Sequence, residues 1–236
     1  MHTLGGLVAS VAIGVATAIV IIAVSILPFL TPQWVGFEQG RAGAEAWTGY
    51  TTAELRDATD AILSDLVFGP PDFDAAVAGQ PVLEAREQAH MRDVRTVFTG
   101  LWVAAVASVV VLAIAGWRVH DRGRLWRAVR RGAMVLAVAV VALGIVALVA
   151  FDTLFEVFHE LLFPAGSYTF DPSADKLVQL FPFAFWNDTG IAVGVVIVVI
   201  AALVAWLASR RERRAAAAVA QAGTDRDAAG AAVAPG

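Results

Sequence analysis

Residues 151–182 read FDTLFEVFHELLFPAGSYTFDPSADKLVQLFP. This stretch carries His159, one of the four histidines of the chain, among phenylalanines and leucines. It directly continues residues 132–151, which contain no charged side chain. An apolar run of roughly 20 residues is long enough to cross the hydrocarbon core of a bilayer as a helix. We therefore expect His159 to lie at a lipid–water boundary, just beyond the end of a membrane helix.

The chain as a whole has the composition of a membrane protein. It is 58% hydrophobic and 16% charged, against about 45–50% and about 25% in globular proteins. The first uncharged run lacks the basic start of a signal peptide and is too long for its apolar core, so we expect it to be retained. We predict an all-α integral membrane protein, a four-helix transmembrane bundle with outward-facing helical loops. The predicted spans are residues 4–30, 96–117, 132–151 and 189–209.

The arginines predict the orientation of these spans. They cluster between spans 2 and 3 and directly after span 4, and short arginine-rich flanks stay in the cytoplasm. We treat residues 1–236 as a single membrane domain in the cytoplasmic membrane of a bacterium, with both termini inside. The outer segments are then residues 31–95 and 152–188, and the inner ones are the loop 118–131 and the Ala-rich tail 210–236.

Turn and cap signals place helices in the first outer segment. Thr51 and Glu54 have the spacing of a capping box, which predicts a helix over residues 52–67. Pro81 is the predicted start of a further helix that continues without a break into span 2, over residues 82–117.

The second outer segment begins as an amphipathic extension of span 3. Carboxylates share one side with His159, whereas aromatic and aliphatic residues share another, as expected for a helix at an interface. Asp171 followed by Pro172 is the pattern of an N-cap and a first helical residue, which predicts a short helix over residues 172–180.

His90 and His159 are predicted to lie at similar heights on the outer side. His90 precedes span 2 by six residues, about 9 Å, and His159 follows span 3 by eight residues, about 12 Å. An imidazole with its ordinary pKa of about 6.5 suits proton transfer near neutral pH. Two other readings stay open: His159 as an interfacial residue that binds a headgroup, and His90 as part of a solvated charged helix face.

Several kinds of chemistry lack their motifs. The chain has no cysteine, which excludes disulfides and thiolate nucleophiles. It has no G-x-S-x-G motif, and His159–Glu160 lacks the second histidine of H-E-x-x-H. We therefore expect no covalent nucleophile, no metal and no cofactor. The basic runs are topology signals, so we expect no nucleic-acid partner, and the uncharged spans argue against a transporter.

Two motifs resemble those of a known family. R-E-x-x-H-M-x-D-V at residues 86–94 and F-D-x-x-F-x-x-F-H-x-L-x-F-P at residues 151–164 are similar to segments of the bacterial lipoprotein intramolecular transacylases, Lit. The similarity extends over residues 5–208. It includes Y-T-T-A-E-L at 50–55, T-F-D-P-S-x-D at 169–175 and L-F-P at 180–182.

This resemblance implies an acyltransferase that acts on diacylglyceryl-modified lipoproteins in the membrane. It would move the sn-2 acyl chain of the lipoprotein to the α-amine of its N-terminal cysteine, giving the lyso-form. The two functional histidines of the family fall on His90 and His159, and we expect His159 to be the base and His90 its partner. A water-using lipid esterase and a non-enzymatic lipid- or lipoprotein-binding protein remain alternatives.

The neighbouring residues complete the predicted site. Glu87 or Asp93, which lie near His90 on its helix, are expected to orient it, and the donor to the oxyanion is Arg92, Arg86 or a protonated His90. Further support is expected from Glu160 and Asp152. The predicted lipid-contacting residues are Phe155, Phe158, Phe163 and Trp186.

Overall fold

The computed structural model describes residues 2–233, with the side chains of residues 5–224. The described chain is predominantly helical, which confirms the all-α prediction. Four of its helices are long and apolar enough to cross a membrane: Gly5–Leu30, Ala85–Arg118, Arg122–Leu162 and Phe183–Thr224. The complete order is α1 His2–Ile26, a 3-10 turn Leu27–Leu30, α2 Pro32–Ala42, α3 Ala44–Thr48, α4 Thr52–Val67, β1 Ala76–Val77, β2 Gln80–Pro81, α5 Ala85–Arg118, α6 Arg122–Leu162, α7 Lys176–Leu180 and α8 Phe183–Val233.

The chain divides into two compact units, of which the first combines residues 1–22, 105–139 and 197–236. Its core contains Ile13, Leu125 and Ala128. The backbones of α1 and α6 touch at Gly14 and Gly132, where a Cβ on Gly132 would stand 2.6 Å from the Cα of Gly14. Only glycine allows two helices to approach this closely.

The second unit combines residues 23–104 and 140–196 and contains the short helices. As predicted, Thr51 caps α4: its side chain accepts from Glu54 N, while the Glu54 carboxylate accepts from Thr51 N. The buried face of α4 then packs against Phe73, Leu83 and Leu180 in the core of this unit.

The predicted start of the helix before span 2 is wrong by four residues. Pro81 lies in β2, which pairs antiparallel with β1, and Val82 N donates to Ala75 O at 2.8 Å. This pairing holds the chain extended through Pro81. The helix begins only at Ala85, where Glu84 N donates to the Glu87 carboxylate at 2.7 Å.

The short helix of the second outer segment also begins later than predicted. Asp171 does not cap a helix, because its carboxylate accepts from the amide and hydroxyl of Ser173. These bonds hold the pKa of Asp171 below its ordinary value. Asp171 N donates to Asp175 at 2.6 Å, so residues 171–175 form a turn and α7 starts at Lys176.

Helix α6 continues past residue 151 as predicted, but it is not straight. Ala150 has φ −146° and ψ 41°, which is not helical. The break separates the apolar run from the last turns of the helix, which carry Phe155, Phe158 and His159.

Candidate active site

His90 of α5 and His159 of α6 lie side by side. Their ring centroids are 6.0 Å apart and their planes differ by 22°. Both residues are buried, with 6% and 8% of their surface exposed. The prediction that the two imidazoles converge is therefore confirmed.

Aromatic rings surround this pair. Phe163 contacts both imidazoles, with its centroid 4.9 Å from that of His90 and 5.4 Å from that of His159. Phe155 and Tyr168 lie 4.2 and 5.2 Å from His159. Phe158 and Phe170 complete the cluster, against His159 and His90 respectively. We refer to these seven residues, the two histidines included, as the aromatic cluster.

The one hydrogen bond that the His159 ring makes among the described residues determines its tautomer. Nδ1 lies 2.7 Å from the carbonyl oxygen of Phe155, one turn earlier in α6. A carbonyl oxygen can only accept a hydrogen bond, so Nδ1 carries the proton and donates it. In the neutral ring, Nε2 then holds a lone pair that is free to accept a proton.

The ring of His90 also has a nitrogen without a partner among the described residues. Its Nδ1 is buried and has no hydrogen-bond partner within the described part of the chain. A buried polar atom without a partner costs about 1–3 kcal/mol. A substrate group that reached Nδ1 would remove this cost, so the atom is suited to contact with a ligand.

Glu87, predicted to orient His90, binds the backbone instead. It is fully buried, and its carboxylate accepts from the amides of Glu84 and Leu177, at 2.7 and 2.6 Å. It thereby caps α5 and fastens the start of α7 to it. The other candidate, Asp93, is half-buried and makes no hydrogen bond to His90 among the described residues.

Arg86 connects α5 to the loop before α7. Nη2 donates to both carboxylate oxygens of Asp175, at 2.9 and 2.8 Å, and Nη1 donates to the carbonyl of Thr169 at 2.8 Å. The guanidinium also lies 4.9 Å from the centre of the Phe170 ring, which contacts His90. Arg86 therefore holds Phe170 against His90.

The other predicted supporting residues lie outside the aromatic cluster. Arg92, Asp152 and Glu160 are exposed and make no hydrogen bond to either histidine in the described part of the chain. The carboxylates of Asp152 and Glu160 therefore do not line the histidine pair, which aromatic rings surround.

The four residues predicted to contact lipid divide into two groups. Phe155, Phe158 and Trp186 keep 36%, 51% and 42% of their surface exposed, whereas Phe163 is buried in contact with both histidines. Sequence reasoning missed the contacts of Tyr168, Phe170 and Asp175. The T-F-D-P-S-x-D motif contains the latter two, but its spacing does not indicate their partners.

No group of three or more metal-ligating side chains is present in the described residues. The serines of the second outer segment are also engaged in their own turns. Ser167 Oγ donates to Pro164 O at 2.9 Å, and Ser173 Oγ to Asp171 at 2.7 Å. The chemistry that this site offers is therefore proton transfer by imidazole in a largely apolar environment.

Comparison with known proteins gives a consistent result. The model of a family described as lipoprotein intramolecular transacylase Lit matches residues 11–186, whereas no curated protein matches the chain. Among solved structures, the membrane integral lipoprotein intramolecular transacylase Lit from Bacillus cereus is similar, with TM-score 0.73 and 17% identity over 90% of this chain and 98% of the other. Two structures of that protein, with one histidine replaced by arginine or by alanine, both have TM-score 0.71 and 17% identity over 90% of this chain and 94% or 96% of theirs.

Proposed function

Because the chain belongs to the lipoprotein intramolecular transacylase family, we propose that His90 and His159 carry out the acyl transfer. The reaction moves the sn-2 acyl chain of a diacylglyceryl-cysteine lipoprotein to the α-amine of the same cysteine. The observation that carries the assignment is the 2.7 Å contact between Nδ1 of His159 and the Phe155 carbonyl oxygen, which leaves Nε2 as the base. In the Bacillus cereus protein, the solved variants replace a histidine.

The reaction requires one proton to be moved twice. The α-amine nitrogen attacks the ester carbonyl carbon, and Nε2 of His159 takes a proton from that nitrogen. The tetrahedral intermediate then collapses: the bond between carbon and glycerol oxygen breaks, and the leaving oxygen takes the proton from Nε2. The products are an amide and a free glycerol hydroxyl, so neither a covalent acyl-enzyme nor a net proton is needed.

Because ester and amine belong to one molecule, the main contribution of the protein is orientation. Holding two reacting groups in the productive geometry is worth up to roughly 7–11 kcal/mol, and a well-placed general base contributes roughly 10²–10⁴-fold in rate. The unused Nδ1 of His90 is the second contact that positions the reacting groups. The ring centroids of His90 and His159 are 6.0 Å apart.

The developing oxyanion needs a donor, and we assign this role to Tyr168. Its ring lies 5.2 Å from that of His159, and its hydroxyl makes no hydrogen bond among the described residues. Arg86, an earlier candidate, has both terminal nitrogens occupied by Asp175 and Thr169. A neutral phenol also suits an apolar site, since it stabilises charge without bringing a charge of its own.

The aromatic walls serve to exclude water from the ester. Phe155, Phe163 and Phe170 cover the two imidazoles, and hydrolysis would compete with transfer wherever water reached Nε2.

We place the site on the outer face of the cytoplasmic membrane, with both termini inside, because the arginine-rich segments are the inner ones. The substrates are lipoproteins that reach the site from the surrounding lipid.

Mass spectrometry of lipoprotein N-termini in bacteria that express the chain tests this proposal. His159→Asn keeps an amide N–H near the Phe155 carbonyl but removes Nε2, and His120→Asn, on an exposed residue, is the matched control. We expect His159→Asn to lower conversion by at least about 100-fold and the control to retain it. Normal conversion by His159→Asn would rule out this base, and glycerol deacylation without N-acyl cysteine would indicate a hydrolase.

A further inference from the structure

The first turns of α1 and α6 enclose a groove lined by three arginines. Its volume is about 600 Å³. Helix α1 contributes a face of small or apolar residues to it, and α6 contributes the positive charge. The lining residues are Gly6, Leu7, Ser10, Arg124, Arg127, Ala128 and Arg131.

Small residues spaced four positions apart bring α1 and α6 together beside and beyond this groove: Gly6, Ser10 and Gly14 on α1, and Ala128 and Gly132 on α6. The helices run in the same direction, because Gly6 contacts Arg124 whereas Gly14, two turns later, contacts Gly132. At the glycine pair the backbones touch. At Gly6 a Cβ would stand 3.1 Å from Nη1 of Arg124, so the absence of a side chain there leaves room for the guanidinium.

The positive charge of the groove is only partly compensated. Glu212 accepts from both Arg127 and Arg130, at 2.8 and 3.1 Å, so its single carboxylate serves two arginines. The Nε of Arg124 lies 3.8 Å from the exposed Asp121. Arg131 forms no ion pair among the residues that the structure describes.

An apolar surface continues from the groove along α1. Leu7 and Val11 keep 60% and 56% of their surface exposed, as expected of residues that face acyl chains. A ligand that fits both surfaces carries an anion at one end and hydrocarbon at the other. A free anion would fit only the arginine-lined groove.

We propose that this groove binds the phosphate of an anionic phospholipid, with an acyl chain lying along Leu7 and Val11. Guanidinium groups suit phosphate because their planar donor forks match its oxygens. Basic pockets between membrane helices at the positively charged side are also a recurrent form of headgroup site. Arg124 and Arg131 supply the phosphate contacts, since Arg127 is already held by Glu212.

Native mass spectrometry of the full chain in detergent tests the proposal, with phosphatidylglycerol titrated against phosphatidylcholine. We expect a preference for phosphatidylglycerol. Each arginine removed should weaken its binding by about fivefold, so that Arg124→Gln/Arg131→Gln lowers the affinity by about 25-fold. Arg213→Gln/Arg214→Gln removes the same charge from exposed positions outside the groove and should leave the affinity unchanged.

Three outcomes would overturn the proposal. One is unchanged phosphatidylglycerol binding by the groove variant, and another is an equal loss in the control, which would indicate a diffuse charge effect. The third is displacement of the lipid by millimolar inorganic phosphate, which would make the ligand a free anion. If the double variant does not fold, Arg131→Gln alone decides, because Arg131 has no ion pair in the described chain and its removal leaves no carboxylate unpaired.

Discussion

Arg86→Lys tests whether the loop before α7 positions the aromatic cluster. The substitution keeps the positive charge but replaces a planar fork with a single ammonium group. That group cannot reach the Asp175 carboxylate and the Thr169 carbonyl in the geometry that Nη1 and Nη2 have. Phe170 would then no longer be held against His90 by the connection that runs through Arg86.

The structure sets the size of the expected effect. A hydrogen bond to a charged group contributes about 1.5–3 kcal/mol. The Arg86 side chain is 51% exposed whereas Asp175 is 6% exposed, so solvent screening on the arginine side favours the lower end of that range. A loss of about 1.5 kcal/mol in the positioned loop corresponds to a decrease of about tenfold in the rate of lyso-lipoprotein formation.

The assay is the rate of N-acyl cysteine formation by the purified chain, measured together with its thermal midpoint. Arg92→Lys is the control, since Arg92 is an exposed arginine of the same helix. Asp175→Asn should reduce the rate similarly, and the double variant should lose less than the sum of the two single effects. An unchanged rate for Arg86→Lys, or a loss fully accounted for by unfolded protein, would refute the positioning role.

Two further substitutions test the proposed oxyanion donor and the close contact between α1 and α6. Tyr168→Phe should lower the rate by about 10²–10³-fold, as for other oxyanion donors, with little change in substrate binding or melting; wild-type turnover would remove Tyr168 from this role. Gly132→Ala places a Cβ 2.6 Å from the Cα of Gly14 and should destabilise the chain by about 1–3 kcal/mol, measured by thermal melting in detergent. The control is Gly144→Ala, where a Cβ meets no atom within 4 Å, and equal melting of the two variants would contradict the close helix contact.

Local sequence patterns were sufficient to identify the four long apolar helices, the capped helix α4 and the convergence of the histidines. An uninterrupted apolar run determines a membrane helix, and the Thr51 capping box involves residues three positions apart. His90 and His159 could be paired because each lies a short helical distance from the end of an apolar run. These inferences need only the rise of a helix and the thickness of a bilayer.

Contacts between distant residues account for two of the wrong predictions, whereas the late start of α5 comes from the local pairing of β1 with β2. Asp175 is bound by Arg86, which lies 89 positions away in the sequence. Residues 171–175 form a turn around this carboxylate, in place of the helix that Asp171 and Pro172 predicted. Glu87 is adjacent to His90 on the helix, but its carboxylate binds the amide of Leu177, 90 positions away. Spacing along one helix gives the neighbours of a side chain, but it does not decide which partner that side chain takes.

The aromatic surroundings of the histidines suit the proposed reaction better than a carboxylate directly beside either imidazole would. A carboxylate beside an imidazole favours the imidazolium, which has no lone pair on Nε2 and cannot accept a proton from the amine. A backbone carbonyl, as at Phe155, fixes the tautomer without adding a full charge. Aromatic rings exclude water and accommodate acyl chains. The carboxylates lie in supporting contacts instead: Glu87 accepts from backbone amides and Asp175 pairs with Arg86. These contacts fix the elements around the histidines without placing a carboxylate on the proposed base.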